Sequence, residues 1–286
     1  AFALATTVTD LVSSASAAGA TISNNSWGTG GSGAWGDYSA FSREYDALVR
    51  DAEPGGTPQQ VVEVFAAGND GDVGAATISA EATAKNVITV GASEGVRLSG
   101  TDGCGFTNAA ADNARQILPF SSRGPTDDGR LKPDLVAPGT HITGVRPTHG
   151  SYNGAGTCNP VFVGSYSLVS GTSQATPQVT GAAALVREAY ATGPSDPPSP
   201  AMTKALLINT ATDVLAGPDN DQGWGRVNVG SALDSTTREL YDQLPGDTFD
   251  GPGQSLVRVF TVPDASRPVK VTLVWTDPPG EGLQSD

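Results

Sequence analysis

Apolar positions fall into short blocks of two periods along this chain. Three blocks, Ala20 to Ser23, Val61 to Ala66 and Val87 to Val90, are nearly continuous and rich in β-branched residues. Runs of that kind predict strands buried on both faces of a parallel sheet. Between and after them the spacing lengthens to that of a helix. Thr7 to Ala18 and Tyr38 to Asp51 place apolar residues on one helical face, and the small-residue run Ala175 to Tyr190 predicts a helix packed closely on its neighbours. Ala201 to Thr210 reads as a further apolar helix, with Pro200 suited to its first turn and Ser199 able to cap it. Strands alternating with helices argue for an α/β class.

The α/β texture closes near Leu233. From about Gly246, Ser255 to Val262 and Val269 to Thr276 alternate β-branched residues with others across a Pro-Asp-Ala-Ser-Arg-Pro turn. They predict the opening strands of a β-sandwich. Two such strands are marginal alone, and the expectation is that this second domain is cut off. The predicted division is 1–237 for the α/β part and 238–286 for the start of the sandwich.

Composition narrows the function classes. The chain has 286 residues, 16 Lys and Arg, 30 Asp and Glu, and a net charge of −14. Such an excess repels phosphate, so neither nucleic acid nor an anionic membrane is an expected partner. It keeps a secreted protein soluble, and carboxylates in Asp/Asn/Gly-rich loops are oxygen ligands that calcium prefers. No apolar run approaches the ~20 residues that span a bilayer, and the first residues lack the basic region of a signal peptide. Cys104 and Cys158 are the two cysteines, neither in a CxxC pair; a zinc site is unsupported and a single disulfide stays open.

The chemistry concentrates in Gly171-Thr172-Ser173-Gln174-Ala175-Thr176-Pro177, which joins the strand-like Tyr166 to Val169 to the Ala-rich helix. A serine at a helix N-terminus either caps the helix or sits in a field that favours developing negative charge. Two other segments agree with the second reading. Val64-Phe65-Ala66-Ala67-Gly68-Asn69-Asp70 is a strand ending in an amide side chain, and Asn24-Asn25-Ser26-Trp27-Gly28 is a polar continuation of another strand.

These segments, with Phe120-Ser121-Ser122-Arg123-Gly124-Pro125, the run Gly129 to Gly139, and Gln222-Gly223-Trp224-Gly225-Arg226-Val227-Asn228, resemble the subtilisin-like serine peptidases. The similarity extends from about Thr7 to Leu233, in the family's order, with Gln174 where Met is more usual. It implies a three-layer α/β fold with a mostly parallel sheet, followed here by the first strands of a jelly-roll-like sandwich. It also implies a secreted serine endopeptidase acting on polypeptides through an acyl-enzyme, with Ser173 as nucleophile and Asn69 as oxyanion donor. Ser26, Trp27 and Gly28 would form one wall of the first substrate pocket and Ala66, Ala67 and Gly68 the other. A large apolar side chain is the expected occupant. The chemistry needs no cofactor; structural calcium is allowed for, and the metal ligands are unknown. Asp70, Asp72, Asp219 and Asp221 are conceivable ligands but read more simply as solvated loop carboxylates.

The resemblance also predicts a gap. Triad order in subtilisin is Asp, His, Ser, and the first two precede the Asn-Ser-Xaa-Gly strand. No Asp-Ser-Gly or Asp-Thr-Gly strand end occurs here, and the histidines are His141 and His149. His141 reads as a surface connection, and His149 lies after Asn69 inside a Gly-rich insertion. The chain alone is therefore expected to be inactive unless an N-terminal fragment carrying Asp and His associates with it. The alternative is a non-catalytic peptide-binding relative. Val96 to Leu118 and Gly144 to Gly164 read as insertions with one cysteine each. If they lie side by side, Cys104 and Cys158 bridge and stiffen the substrate edge.

Overall fold

The computed structural model describes residues 7–145, 161–243 and 249–281, apart from interruptions at 30, 32, 164, 192–196, 250, 263, 265 and 267. Four parallel strands form the central sheet in the order β1-β2-β3-β4: Ile22–Asn25, Val62–Ala66, Ile88–Ser93 and Leu135–Pro138. β4 lies in the run Gly129 to Gly139, where its four residues between Pro133 and Pro138 gave no strand signal. β1 begins later than its apolar block and includes two asparagines; among the described residues it pairs on one side, with β2.

The period-two rule decides which way each β2 side chain points. Val62 and Val64 enter one core with Ile88, Val90 and Leu135, while Val61, Phe65 and Ala67 enter a second core on the opposite face. The first core is closed by α3 (Thr172–Ala189) through Ala175, Val179, Ala182, Ala183 and Val186, and by α4 (Pro200–Asn209) through Leu206 to Ile208. Small residues along α3 let it lie close to the sheet, as its composition predicts. The second core is closed by α1 (Val8–Ala17) and α2 (Ala40–Arg50), through Val8, Val12, Tyr45, Leu48 and Val49. Helix, sheet and helix make the three layers of a subtilisin-like α/β fold.

Capping fixes where the helices begin. Thr7 and Asp10 form a capping box on α1, Ser39 and Ser42 form one on α2, and Ser199 Oγ accepts the Met202 N–H at 3.0 Å ahead of Pro200 on α4. α4 is also tied to the sheet by a buried ion triad. Asp134 receives Lys132 Nζ and Lys204 Nζ, each at 2.8 Å, and burial pushes the Lys132 ammonium down to about 7 despite its partner.

A smaller antiparallel sheet stands beside the main one. β5 (Ile142–Val145), β6 (Val161–Val163) and β7 (Tyr166–Val169) pair in the order β5-β7-β6, and β7 feeds directly into α3.

Among the described residues, the two segments expected to open a sandwich form no ladder with each other. Ser255 to Val262 and Val269 to Thr276 keep their alternation but pair with no neighbour, and a strand exists only as a partner in a ladder. Val257, Val259, Val271, Leu273 and Trp275 are left exposed. The second of these segments instead lies along the α/β part as a strap. Asn209 Nδ2 donates to Lys270 O and Thr272 Oγ1, and Asn86 exchanges two hydrogen bonds with the Asp277 backbone at 2.8 and 2.9 Å.

Candidate active site

Ser173 is the second residue of α3, at the carboxyl end of the central strands. The helix starts at Gly171, whose backbone turns through φ 150° between β7 and Thr172. Of its first-turn N–H groups, that of Gln174 bonds Gly171 O at 3.1 Å and that of Thr172 is taken by a side chain, which leaves the Ser173 N–H without a protein acceptor among the described residues. Pro177 shapes the same turn from the other side. It stands four residues after Ser173 and has no N–H to donate, so the Ser173 carbonyl is released from the helical ladder. That carbonyl accepts Ser26 Oγ–H at 2.8 Å, and Ser173 Oγ–H donates to Ser26 O at 3.1 Å. The residue following β1 and the serine of α3 are thus locked face to face.

Asn69 follows β2 by three residues. Its Oδ1 accepts Thr172 N–H at 2.9 Å and Thr172 Oγ1–H at 3.0 Å, and Thr172 Oγ1 also lies 3.2 Å from Gly68 O. With the oxygen held in this way, the amide nitrogen is turned toward the cleft, where Asn69 is exposed. The arrangement can offer Asn69 Nδ2–H and the Ser173 N–H to an oxygen that gains negative charge.

A cleft of about 300 Å³ opens between these groups, lined by Trp27, Gly28, Ala66, Gly68, Asn69, Asp70, Ser79, Thr172 and Ser173. Of the residues the sequence placed in the pocket walls, Trp27, Gly28, Ala66 and Gly68 line it. Ser26 stands beside Ser173 through its two hydrogen bonds. Ala67 does not line the cleft: alternation along the strand turns its side chain into the core with Phe65 and Ile78. Trp27 packs edge-on to Phe65 with ring centroids 5.7 Å apart, donates Nε1–H to Asn25 Oδ1 at 3.2 Å, and remains 41% exposed. It is both a core contact and a wall.

Sequence reasoning missed Ser79 and Thr172 and gave Asp70 only as a conceivable metal ligand. Ser79 lies between the two walls: a Cβ on Gly28 would stand 2.9 Å from Ser79 Cβ, and one on Gly68 would stand 2.6 Å from its Oγ. Both glycines are therefore dictated by close approach. No local pattern marks Ser79, which sits in an unremarkable stretch ten residues beyond Asn69.

His141 is corrected by the structure. It is fully buried rather than on a surface connection, because residues 97–106 fold over its ring. Its Nδ1 lies 2.8 Å from Arg97 O and 3.0 Å from Ser99 Oγ, and its Nε2 lies 3.0 Å from Phe106 O. Its backbone N–H donates to Ser170 Oγ at 3.1 Å, and Ser170 Oγ–H donates to Asp102 Oδ2. This first insertion thus clasps the residue just before Gly171. Cys104 is disulfide-bonded, and its Sγ accepts the Ser170 N–H at 3.4 Å. Cys158 and His149 lie outside the described residues.

Three of the four loop aspartates have protein partners, and Asp72 is exposed. Asp70 Oδ2 accepts Trp35 Nε1–H at 3.1 Å, Asp219 Oδ1 accepts the N–H groups of Asp221 and Gln222, and Asp221 pairs with Arg123 at 3.5 Å. Among the described residues no group of three His, Cys, Asp or Glu side chains assembles.

Residues 3–225 match the model of the subtilase family, Peptidase S8. The chain belongs to the subtilase family. Pyrolysin of Pyrococcus furiosus is 34% identical over 212 residues, covering 66% of this chain and 14% of that protein. Serine protease AprX of Bacillus subtilis is 35% identical over 201 residues, covering 69% of this chain and 41% of that protein. The Dictyostelium discoideum serine protease/ABC transporter B family protein tagA is 33% identical over 187 residues, covering 58% of this chain and 11% of that protein. Among solved structures, the self-cleaved protease domain of PatA aligns with a TM-score of 0.52 at 25% identity, over 79% of this chain and 65% of that one. The matched region thus spans less than half the length of each of these curated relatives.

Proposed function

We propose that this subtilase chain carries the nucleophile and oxyanion donors of a serine endopeptidase that cleaves polypeptides through an acyl-enzyme. The observation that carries the reading is the convergence of Ser173, Asn69 and the Ser26–Gly28 segment on one cleft. An extended substrate would lie along Ser26 to Gly28, continuing the edge strand β1 by main-chain pairing. Ser173 Oγ would attack the scissile carbonyl, and the oxygen of the tetrahedral adduct would take hydrogen bonds from Asn69 Nδ2–H and the Ser173 N–H.

The attacking hydroxyl must lose its proton to a base. His141 is not that base, since its ring is enclosed by carbonyls of the first insertion. The reading therefore includes an imidazole and an orienting carboxylate brought by a segment that carries the family's Asp and His motifs. Without it, Ser173 Oγ–H stays on Ser26 O. That contact favours a second reading for these residues by themselves, a site that binds extended peptides without cleaving them. Action outside the cell is part of the proposal; a further relative is named minor extracellular protease Vpr of Bacillus subtilis, and no described helix is long and apolar enough to cross a membrane.

A fluorophosphonate probe tests the proposal. Labelling of Ser173, located by peptide mass spectrometry, is expected when the Asp- and His-bearing segment is present and is expected to fall at least 100-fold without it. Absence of label in both cases, with peptide binding retained, would leave the second reading.

A further inference from the structure

The cleft beside Ser173 is polar where an apolar side chain would have to rest. Asp70 is the one titratable residue among those lining it. Trp35 holds its Oδ2, and its Oδ1 has no protein partner among the described residues. Ser79 is 3% exposed, and its Oγ, set between Gly28 and Gly68, has no hydrogen-bond partner among the described residues. A second carboxylate lies behind the wall. Glu81 is fully buried, accepts Thr29 N–H at 2.9 Å and Thr29 Oγ1–H at 3.0 Å, and its Oε2 lies 3.4 Å from where a Gly28 Cβ would be. Among the described residues no lysine or arginine lines the cleft to balance these groups.

Resting on the reading that this cleft holds a substrate side chain, we propose that it selects a basic one, Lys or Arg, on the residue whose carbonyl Ser173 attacks. The methylenes of such a side chain lie against the Trp27 indole and Ala66, and its head carries several N–H donors. Asp70 Oδ1 and Ser79 Oγ are acceptors without donors, and a buried acceptor left unmatched costs binding. Leu or Phe fills the volume but strips water from both groups and returns nothing. A basic head satisfies both and gains the attraction of the half-buried Asp70 carboxylate. This replaces the apolar occupant expected from the small residues of the walls alone.

The test uses benzamidine and its neutral isostere benzamide, titrated into the isotopically labelled chain while the Trp27 indole resonance is followed. Benzamidine is expected to shift that resonance and to bind at least 10-fold more tightly than benzamide. Asp70→Asn keeps the Trp35 contact and is expected to abolish the difference; Ser79→Ala is expected to narrow it. Equal binding of the two probes, no binding of either, or an unchanged preference in Asp70→Asn overturns the proposal. In the assembled peptidase, peptides with Arg at this position should be cleaved at least 10-fold more efficiently than those with Leu. The reverse order also overturns it. Should no peptide be cleaved, the peptidase reading falls and the benzamidine comparison still decides the pocket.

Discussion

The Asn69 side-chain oxygen is held by two donors of Thr172, its N–H at 2.9 Å and its hydroxyl at 3.0 Å, across the gap between β2 and α3. An amide has one oxygen and one nitrogen, so fixing the oxygen also fixes the direction of the N–H pair. Orientation set before the reaction is what makes an oxyanion donor effective, because no reorganisation is left for the transition state. Asn69→Ala is expected to lower the rate of Ser173 acylation in the assembled enzyme about 10² to 10³-fold, the range found when the corresponding donor is removed in subtilisin. Thr172→Val removes one of the two anchors and should cost about 5-fold, since a single hydrogen bond of this kind is worth about 1 kcal/mol. Both are read as kcat with KM unchanged; a loss confined to KM would show that the amide only binds substrate.

The clasp around Ser170 should matter to the same elbow. Ser170 Oγ donates to Asp102 and accepts the buried His141 N–H, so Ser170→Ala leaves one donor and one carboxylate oxygen without partners. The expected destabilisation is about 1 to 3 kcal/mol, measured by denaturant unfolding. Hydrogen exchange should accelerate first in Leu168 to Ser173, because β7 hands its position directly to α3. Unchanged exchange there would mean that the insertion is decoration rather than support.

What could be read from the chain and what could not divides along sequence distance. Ser173 and Asn69 were legible because each sits in a run whose neighbours belong to the same turn. The helices were legible from their periodicity, and the Ser199 cap with them, because capping acts across three residues; the Thr7 and Ser39 caps emerge in the structure. Ser79, the buried state of His141 and the outward turn of Ala66 against the inward turn of Ala67 were not. Each depends on packing between segments far apart in the chain, or on a strand register that apolar runs buried on both faces do not reveal. The segments 255–262 and 269–276 were read by alternation alone, which marks two faces but names no pairing partner.

The strap over the α/β part gives a prediction about the C-terminal segment. Asn86 donates to Asp277 O and to Asp46 O and accepts the Asp277 N–H, while Tyr38 Oη accepts the Gly280 N–H at 3.0 Å. Asn86→Ala removes all the Asn86 side-chain bonds at once and should release the strap without unfolding the sheet. Limited trypsin digestion is expected to cleave after Lys270 faster than in the parent protein, with the α/β part left intact. Equal cleavage rates would show that apolar packing of Val274 suffices to hold the strap.

The contact of β2 with β1 carries a pH dependence that can be worked out in sign. Glu63 is 1% exposed, its Oε2 accepts Asn25 Nδ2–H at 2.6 Å, and its Oε1 has no hydrogen-bond partner. Burial pushes its carboxyl up to about 7 from an ordinary 4.5, against the opposing hydrogen bonds from Ser23 and Asn25. Between those values the folded chain holds a proton that the unfolded chain has released, so stability falls as pH rises through this window. The change is about 3 kcal/mol if the full shift is expressed. Glu63→Gln keeps the shape and a hydrogen-bonding oxygen but cannot ionise. It should match the parent near pH 4.5 and exceed it at pH 8, the difference growing between them, as read from denaturant midpoints at each pH. A parent protein whose difference from Glu63→Gln stays constant over this range would show that Glu63 is ionised in the fold with water or another partner at Oε1.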